Sequence, residues 1–363
     1  MNKVSVSSPS NIALIKYWGM SDAQRTLPNN ASLSMTLNQC VSYCTLTPQT
    51  SGTCDELLWK TASGSLLPVQ GSMRLGIEQH LQQLRQHFDD WQPLRIATVN
   101  SFPTGAGIAS SASGFSALAL AFALRCGQSL NSPDLSQLAR LSGSGSAARS
   151  VIGGFVQWPG HPGQPGGPAK QFAPAQHWPL HDLIAVVDAG HKNISSRQGH
   201  HLAASSPFYS TRLRLLPERL DSLREAILNR DFNTLADTVE REAVEMHMIA
   251  MTSQPPIFYW QPATLQILER VRQLRHEGLQ VCATVDAGPN VHVLCTPQDA
   301  SAIVTALRTL PGVEQWIFDQ AGDGPRQWDC QIFCVRARNG LPSGRPCFYQ
   351  VGLINRSPYR IAN

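Results

Sequence analysis

The first regular feature of the chain is Val4 to Ile15, where apolar and small polar residues alternate before the run turns wholly apolar. A period of two predicts a strand, leading into a tight turn or short helix. Leu27 to Leu37 mixes short polar and apolar residues and suits a strand hairpin, and Cys40 to Leu46 continues the β pattern. Between Thr50 and Leu66 the chain reads as loop, with a short strand at Leu57 to Lys60. Ser72 to Phe88 carries Ile77, Leu81 and Leu84 at helical spacing. A β-like segment, Arg95 to Val99, is followed by the helical run Phe115 to Leu124. Ser132 and Pro133 predict the N-cap and first position of a helix that ends at Leu141. Gly153 to Trp158 and Asp182 to Asp188 read as buried strands, separated by the Pro/Gly loop Gly160 to Pro168. Pro217 to Met251 predicts two helices with a break near Asp231 to Asn233, and Gln261 to His276 a third. Two strands, Leu279 to Val285 and Val291 to Cys295, flank a turn at Asp286 to Asn290. A helix, Pro297 to Leu310, and a strand, Val313 to Phe318, close the pattern. From Gln327 onward it weakens into a segment read as an appended tail. The interleaving of strands and helices is that of an α+β protein.

Composition narrows the function classes. With 363 residues, 42% hydrophobic and 15% charged, the chain can bury a sizeable core as two domains or one large one. The net charge of +4 rests on 29 cationic residues, five of them lysines, with no basic run of the kind that tracks nucleic acid. The longest apolar run, Phe115 to Leu124, is too short to cross a bilayer, and the N-terminus has no leader pattern, so no membrane partner is expected. Nine scattered cysteines without a Cys-x-x-Cys pair suit reduced thiols in the cytoplasm. His177 and His181 straddle Pro179, and His200 and His201 point different ways on a regular element, so no metal set is expected.

The chemistry concentrates in a few stretches. In Asn100 to Leu124, Gly105 and Gly107 remove Cβ atoms, and Ser110, Ser111 and Ser113 fall where a helix begins. Free N–H groups and the helix dipole favour phosphate there. An ordinary capped helix after a loop is the competing reading, since the stretch is neither a Walker A loop nor GxGxxG. Lys16 is a cation amid apolar residues, which is costly unless paired, or else it snorkels from a strand edge. Ser142 to Ser150 alternates glycine with serine and ends near Arg149, as a flexible linker or as an oxyanion turn closed by a guanidinium fork. Arg74 sits in a helix first turn, against the dipole, as a ligand contact or a solvated cation. Asp286 stands at the lip of a hairpin, as a reactive acid or as the cap of its own turn.

Pro103, Gly105, Gly107, Ile108, Ala109, Ser110, Ser111 and Ala112 fill every position of the phosphate motif of the GHMP kinase superfamily, which the stretch resembles. Within it, NIALIKYWG (Asn11 to Gly19), LPNNASLSMTL (Leu27 to Leu37), SGSGSAARS with GGFVQW (Ser142 to Trp158), SSRQG (Ser195 to Gly199), PPI (Pro255 to Ile257) and DAGPN (Asp286 to Asn290) are similar to the diphosphomevalonate decarboxylase family. The resemblance implies a two-domain fold with the active site between the halves. The N-terminal half (1–182) would be of the ribosomal protein S5 domain 2-like type. The C-terminal half (183–326) would be ferredoxin-like, and residues 327–363 would form the tail. It implies ATP-dependent decarboxylation of (R)-5-diphosphomevalonate to isopentenyl diphosphate, with Asp286, Lys16 and Arg149 catalytic. Tyr17, Trp18, Gly19, Met20, Arg74, Ser144, Gly145, Ser146, Ala147, Ala148, Ser196 and Arg197 would bind substrate. Pro103, Gly105, Ala106, Gly107, Ala109, Ser110, Ser111 and Ala112 would bind ATP, with Mg2+ carried by ATP and reached by Ser111. A homodimer is common among such relatives. Met20 departs from the family's usual lysine, with His191, Lys192 and Arg197 as compensating cations. A phosphomevalonate decarboxylase, a mevalonate-type 3-kinase and a metabolite-binding protein without turnover therefore stay open as alternatives.

Overall fold

The computed structural model describes residues 3–50, 52–61, 64–103, 108–129, 133–160, 166–188 and 194–328. In chain order the first half holds β1 (Val4–Ile15), β2 (Met20–Asp22), β3 (Leu27–Pro28), β4 (Ser32–Pro48), β5 (Glu56–Lys60), β6 (Leu66–Pro68), α1 (Gly71–Phe88), β7 (Leu94–Asn100), α2 (Ser110–Arg125), α3 (Pro133–Arg140), α4 (Ala147–Ser150), β8 (Phe155–Trp158) and β9 (Lys170–Ala173). The second half holds β10 (His181–Val186), α5 (Ser196–Leu202), α6 (Tyr209–Asn229), α7 (Phe232–Met251), α8 (Pro262–His276), β11 (Val281–Val285), β12 (Val291–Cys295), α9 (Ala300–Leu307), β13 (Gln315–Gln320) and β14 (Arg326–Trp328).

Two sheets carry the architecture. The first runs β14-β1-β4-β7-β5-β6, with β8 and β9 added to the far end of β4. At 17 residues, β4 is long enough to pair β1 along its length, β7 over Ser42–Pro48 and β8 over Ser32–Met35. Register shifts between Pro9 and Asn11 and between Ala13 and Ile15 break the β1–β4 ladder beside the residues that reach the site. The second sheet, β11-β12-β10-β13, is antiparallel throughout. Its residues alternate between two cores. Leu183, Ala185, Val293 and Val281 meet α8 and α9, while Ile184, Val186, Cys282 and Leu294 join the core shared with α6, α7 and the first sheet. Buried Asp319, at the end of β13, accepts the backbone N–H groups of Asn38, Gln39 and Cys40 at 2.8–2.9 Å, tying the two sheets together.

Several elements differ from their sequence reading. α6 begins at Tyr209, eight residues before Pro217, which lies inside the helix. Tyr209, Arg212, Leu216 and Leu220 form the buried stripe that carries it past the proline, and the density of arginines masked that stripe. Ser196–Leu202, to which the sequence pattern assigns no element, forms α5, started by a capping box between Ser195 and Gln198. The boundary expected after residue 326 falls inside β14, where Val6 pairs with Gln327 and Ser5 with Trp328. The expected strand at Cys330 to Arg336 and the remaining tail lie outside the described residues, as does the Ser132 cap.

Candidate active site

A cavity of about 600 Å³ lies against the first sheet, with walls from α1, α2, the Gly/Ser turn, α5, α7 and the turn after β11. At its floor Lys16 leaves β1 and is nearly inaccessible. Its ammonium donates to the Ala13 carbonyl at 2.7 Å and to Asp286 Oδ1 at 2.5 Å. The Lys16 side chain is 3% exposed and that of Asp286 24%, so the acid is the partner that faces the cavity. Burial pushes Lys16 below its usual range while the Asp286 charge opposes it. Burial pulls Asp286 upward, but the adjoining ammonium outweighs it and holds the carboxyl below its ordinary value.

The Lys16 main chain is fixed by side chains from far along the sequence. Its N–H donates to Glu242 Oε1 at 3.0 Å on α7. Its carbonyl accepts from Asn30 Nδ2 at 3.0 Å and from Arg212 Nη2 at 3.2 Å on α6. Glu242 is fully buried and also receives Arg212 and, at 2.7 Å, Arg219.

Arg149 stands at the end of the Gly/Ser turn on α4 and is 1% exposed. Its guanidinium donates to Ser32 Oγ at 2.6 Å, Asn11 Oδ1 at 3.1 Å and Ser146 Oγ at 3.2 Å, all uncharged. No carboxylate among the described residues lies within ion-pair distance of it. Burial lowers it to about 10, still fully charged at neutral pH. A desolvated cation held by neutral groups is a seat for an anion. Gly145 is required in that turn, because a Cβ there would lie 2.5 Å from Tyr17.

Another part of the cavity joins a helix N-terminus to apolar walls. Ala109 takes φ 44°, ψ 42° just before α2, a left-handed turn that costs an alanine roughly 1–2 kcal/mol. No side chain caps the helix, so its first N–H groups remain available to an anion beside the Ser110 and Ser111 hydroxyls. Beyond them the walls are apolar, with Trp59, Met73, Ile77, Phe115 and Leu118.

Of the residues expected at the site, Lys16, Tyr17, Trp18, Ser144, Gly145, Ser146, Arg149, Ser196, Arg197, Asp286, Ala109, Ser110 and Ser111 line this one cavity. Others do not. Arg74 is half-buried and does not line the cavity, and it pairs with Glu78 at 2.8 Å on its own helix. Ala112, Ala147 and Ala148 are buried behind the walls. Gly19 packs against Tyr209, and Met20 packs on the apolar cluster of Tyr17, Val156 and Trp158. Pro103 lies just outside, and Gly105, Ala106, Gly107, His191 and Lys192 fall outside the described residues.

Two family models match the chain in order, a diphosphomevalonate decarboxylase-like N-terminal domain over residues 8–166 and a mevalonate 5-diphosphate decarboxylase C-terminal domain over residues 182–327. The chain belongs to the diphosphomevalonate decarboxylase family. The diphosphomevalonate decarboxylase of Aspergillus fumigatus is 37% identical over 338 residues, covering 87% of this chain and 82% of that protein. Mevalonate diphosphate decarboxylase from Staphylococcus aureus shares the fold with a TM-score of 0.82 at 31% identity, over 90% of this chain and 98% of that one. The solved chain MDDEF, in complex with MVAPP, AMPPCP and magnesium, gives a TM-score of 0.81 at 35% identity, over 90% of this chain and 99% of that one.

For a diphosphomevalonate decarboxylase, the sequence missed one cavity wall and the scaffold behind Lys16. Phe115 was readable, four residues after Ser111 and therefore on the same face of α2. Glu242 and Arg212 were not, because a charged residue on an amphipathic helix gives no local sign that it will be buried.

Proposed function

We propose that this decarboxylase takes (R)-5-diphosphomevalonate and ATP to isopentenyl diphosphate, carbon dioxide, ADP and phosphate. What supports the reading above all is the Lys16–Asp286 pair in one cavity wall with the charged, carboxylate-free Arg149 nearby. In this reading Asp286 orients the tertiary hydroxyl and accepts its proton as the oxygen takes the γ-phosphoryl group of ATP. Lys16 keeps Asp286 ionised and balances charge on the transferring group. Phosphate then leaves with the C–O electron pair. The bond to the carboxylate carbon breaks, its pair forms the alkene, and carbon dioxide departs. Arg149 grips the carboxylate and fixes its plane, and loses that hold once neutral carbon dioxide forms. The Ala109 to Ser111 turn receives the ATP phosphates.

The relative bound to AMPPCP and magnesium supports ATP with Mg2+ as cofactors here. No three His, Cys, Asp or Glu side chains cluster as metal ligands among the described residues. The ion therefore belongs to the nucleotide phosphates, with the Ser111 hydroxyl as this chain's contribution. When bound it neutralises phosphate charge. No helix of the described residues is long and apolar enough to cross a membrane. We place the enzyme in the cytoplasm.

The test is ADP release with mevalonate, its 5-phosphate and its 5-diphosphate, with carbon dioxide measured in parallel. The diphosphate is expected to turn over fastest, with one carbon dioxide per ADP. A tenfold preference for the monophosphate, or ADP without carbon dioxide, would replace this reading. Asp286→Asn is expected to lower kcat at least a thousandfold while ATP still binds.

A further inference from the structure

One cavity wall is not used by this mechanism. Ser196, Arg197 and His200 sit at i, i+1 and i+4 of α5, which brings them to one side of the helix, and all three line the cavity. The helix holds no acidic residue. Arg197 makes no ion pair with a described residue, and its guanidinium occupies the space over Gly143, where a Cβ would lie 1.6 Å from Nη2. His200 is half-buried, stacked on Tyr17 with ring centroids 4.1 Å apart and tilted against Trp18 at 4.7 Å. Its Nδ1 accepts the Gly19 N–H at 3.0 Å, which puts the proton of the neutral ring on Nε2. That Nε2–H makes no hydrogen bond to a described residue.

We infer that His200 is a substrate-binding residue of this site, tying α5 to the Tyr17–Gly19 connection between β1 and β2 through Nδ1 and donating its Nε2–H to a phosphoryl oxygen of the acid substrate. The wall offers a hydroxyl, a guanidinium and an imidazole N–H, all donors, and a group with several anionic acceptors satisfies them together. The inference rests on the proposed substrate, whose diphosphate is such a group. It gives the Met20 position a physical reading, since Met20 packs on an apolar cluster while an uncharged donor from α5 serves the phosphate end. Burial keeps the ring neutral, lowered to about 3, so it adds a hydrogen bond and no charge.

Two substitutions separate the two nitrogens. In His200→Asn the amide oxygen replaces Nδ1 and the distal donor is lost. In His200→Gln the amide nitrogen reaches the Nε2 position and the Gly19 contact is lost. His200→Asn is expected to raise KM for diphosphomevalonate about ten- to a hundredfold, as for a hydrogen bond to a charged group. KM for ATP and Tm should stay unchanged, and His200→Gln should recover most of the loss. If His200→Asn matches the unsubstituted protein, or if both variants raise both KM values alike, the phosphoryl contact is overturned. Calorimetry with inorganic diphosphate keeps this apart from the substrate assignment. Weaker binding to His200→Asn supports the contact even in a protein that does not turn over diphosphomevalonate, and equal binding removes it.

Discussion

A guanidinium that is 1% exposed and touches only an amide oxygen and two hydroxyls is an expensive thing to keep in a folded protein. Arg149 is therefore expected to show function and stability pulling apart. Arg149→Met removes the buried charge at similar volume, and such replacements are often neutral or stabilising. Its thermal midpoint should match or exceed that of the unsubstituted chain, while carbon dioxide release falls at least a hundredfold. A large drop in midpoint would make Arg149 a structural residue. Lys16, Arg149 and Asp286 were legible in the sequence because each interrupts a run of another character: an apolar strand, a Gly/Ser turn, a hairpin tip. Arg74 looked similar by helix position, yet its charge is answered one turn later by Glu78. Local placement identifies an odd residue, and only packing decides which cavity it meets.

At the scale of elements, α6 and α7 brace the turn after β1 that carries Lys16. Glu242 accepts the Lys16 N–H and two arginines, and Arg212 returns to the Lys16 carbonyl. A neutral glutamine keeps the shape and removes the charge that answers both arginines. Breaking a buried ion pair costs about 3–5 kcal/mol. Glu242→Gln should lower unfolding stability in urea by about that amount and reduce kcat more than either KM, since the group displaced is Lys16 and not a binding wall. Unchanged kcat with reduced stability would confine Glu242 to the scaffold. The break between these helices was readable because Asp231 caps α7 by accepting from Asn233 and Thr234. The early start of α6 was not, because its buried stripe includes Arg212 and passes through Pro217.

For the whole molecule, the strand and helix order was largely legible from periodicity, because α1 and α7 keep one face in a core, and β1 is buried along its whole length and β4 along most of its own. The joining of the sheets was not, since it relies on contacts such as Asp319 with Asn38 to Cys40, some 280 residues apart. Two fully buried histidines make the assembled fold sensitive to acid. His80 meets the Leu138 carbonyl at 2.9 Å and His247 the Ala243 carbonyl at 2.8 Å. Burial lowers each to about 4. Between that value and the usual 6.5 the unfolded chain binds the protons and the folded one does not, so stability is whole above 6.5 and declines as pH falls. Together they contribute a slope of about 2.7 kcal/mol per pH unit near pH 5. Urea titrations from pH 7 to 4 should show it, and replacing both histidines with glutamine should remove this part of the slope, leaving the share of His200, which burial also lowers.

The pairing of β14 with β1 sets an order on how the protein is made. Ser5, Val6 and Ser7 leave the ribosome first, and Trp328, Gln327 and Arg326 more than 300 residues later. One edge of β1 can be covered by β4 early, but the other stays open throughout synthesis. The Trp328 indole that donates to Ser7 at 2.9 Å arrives after Lys16, Arg149 and Asp286 have all been made. The sheet is latched only after these three cavity residues are present, so the nascent chain carries the charged groups of the cavity before its last edge is closed.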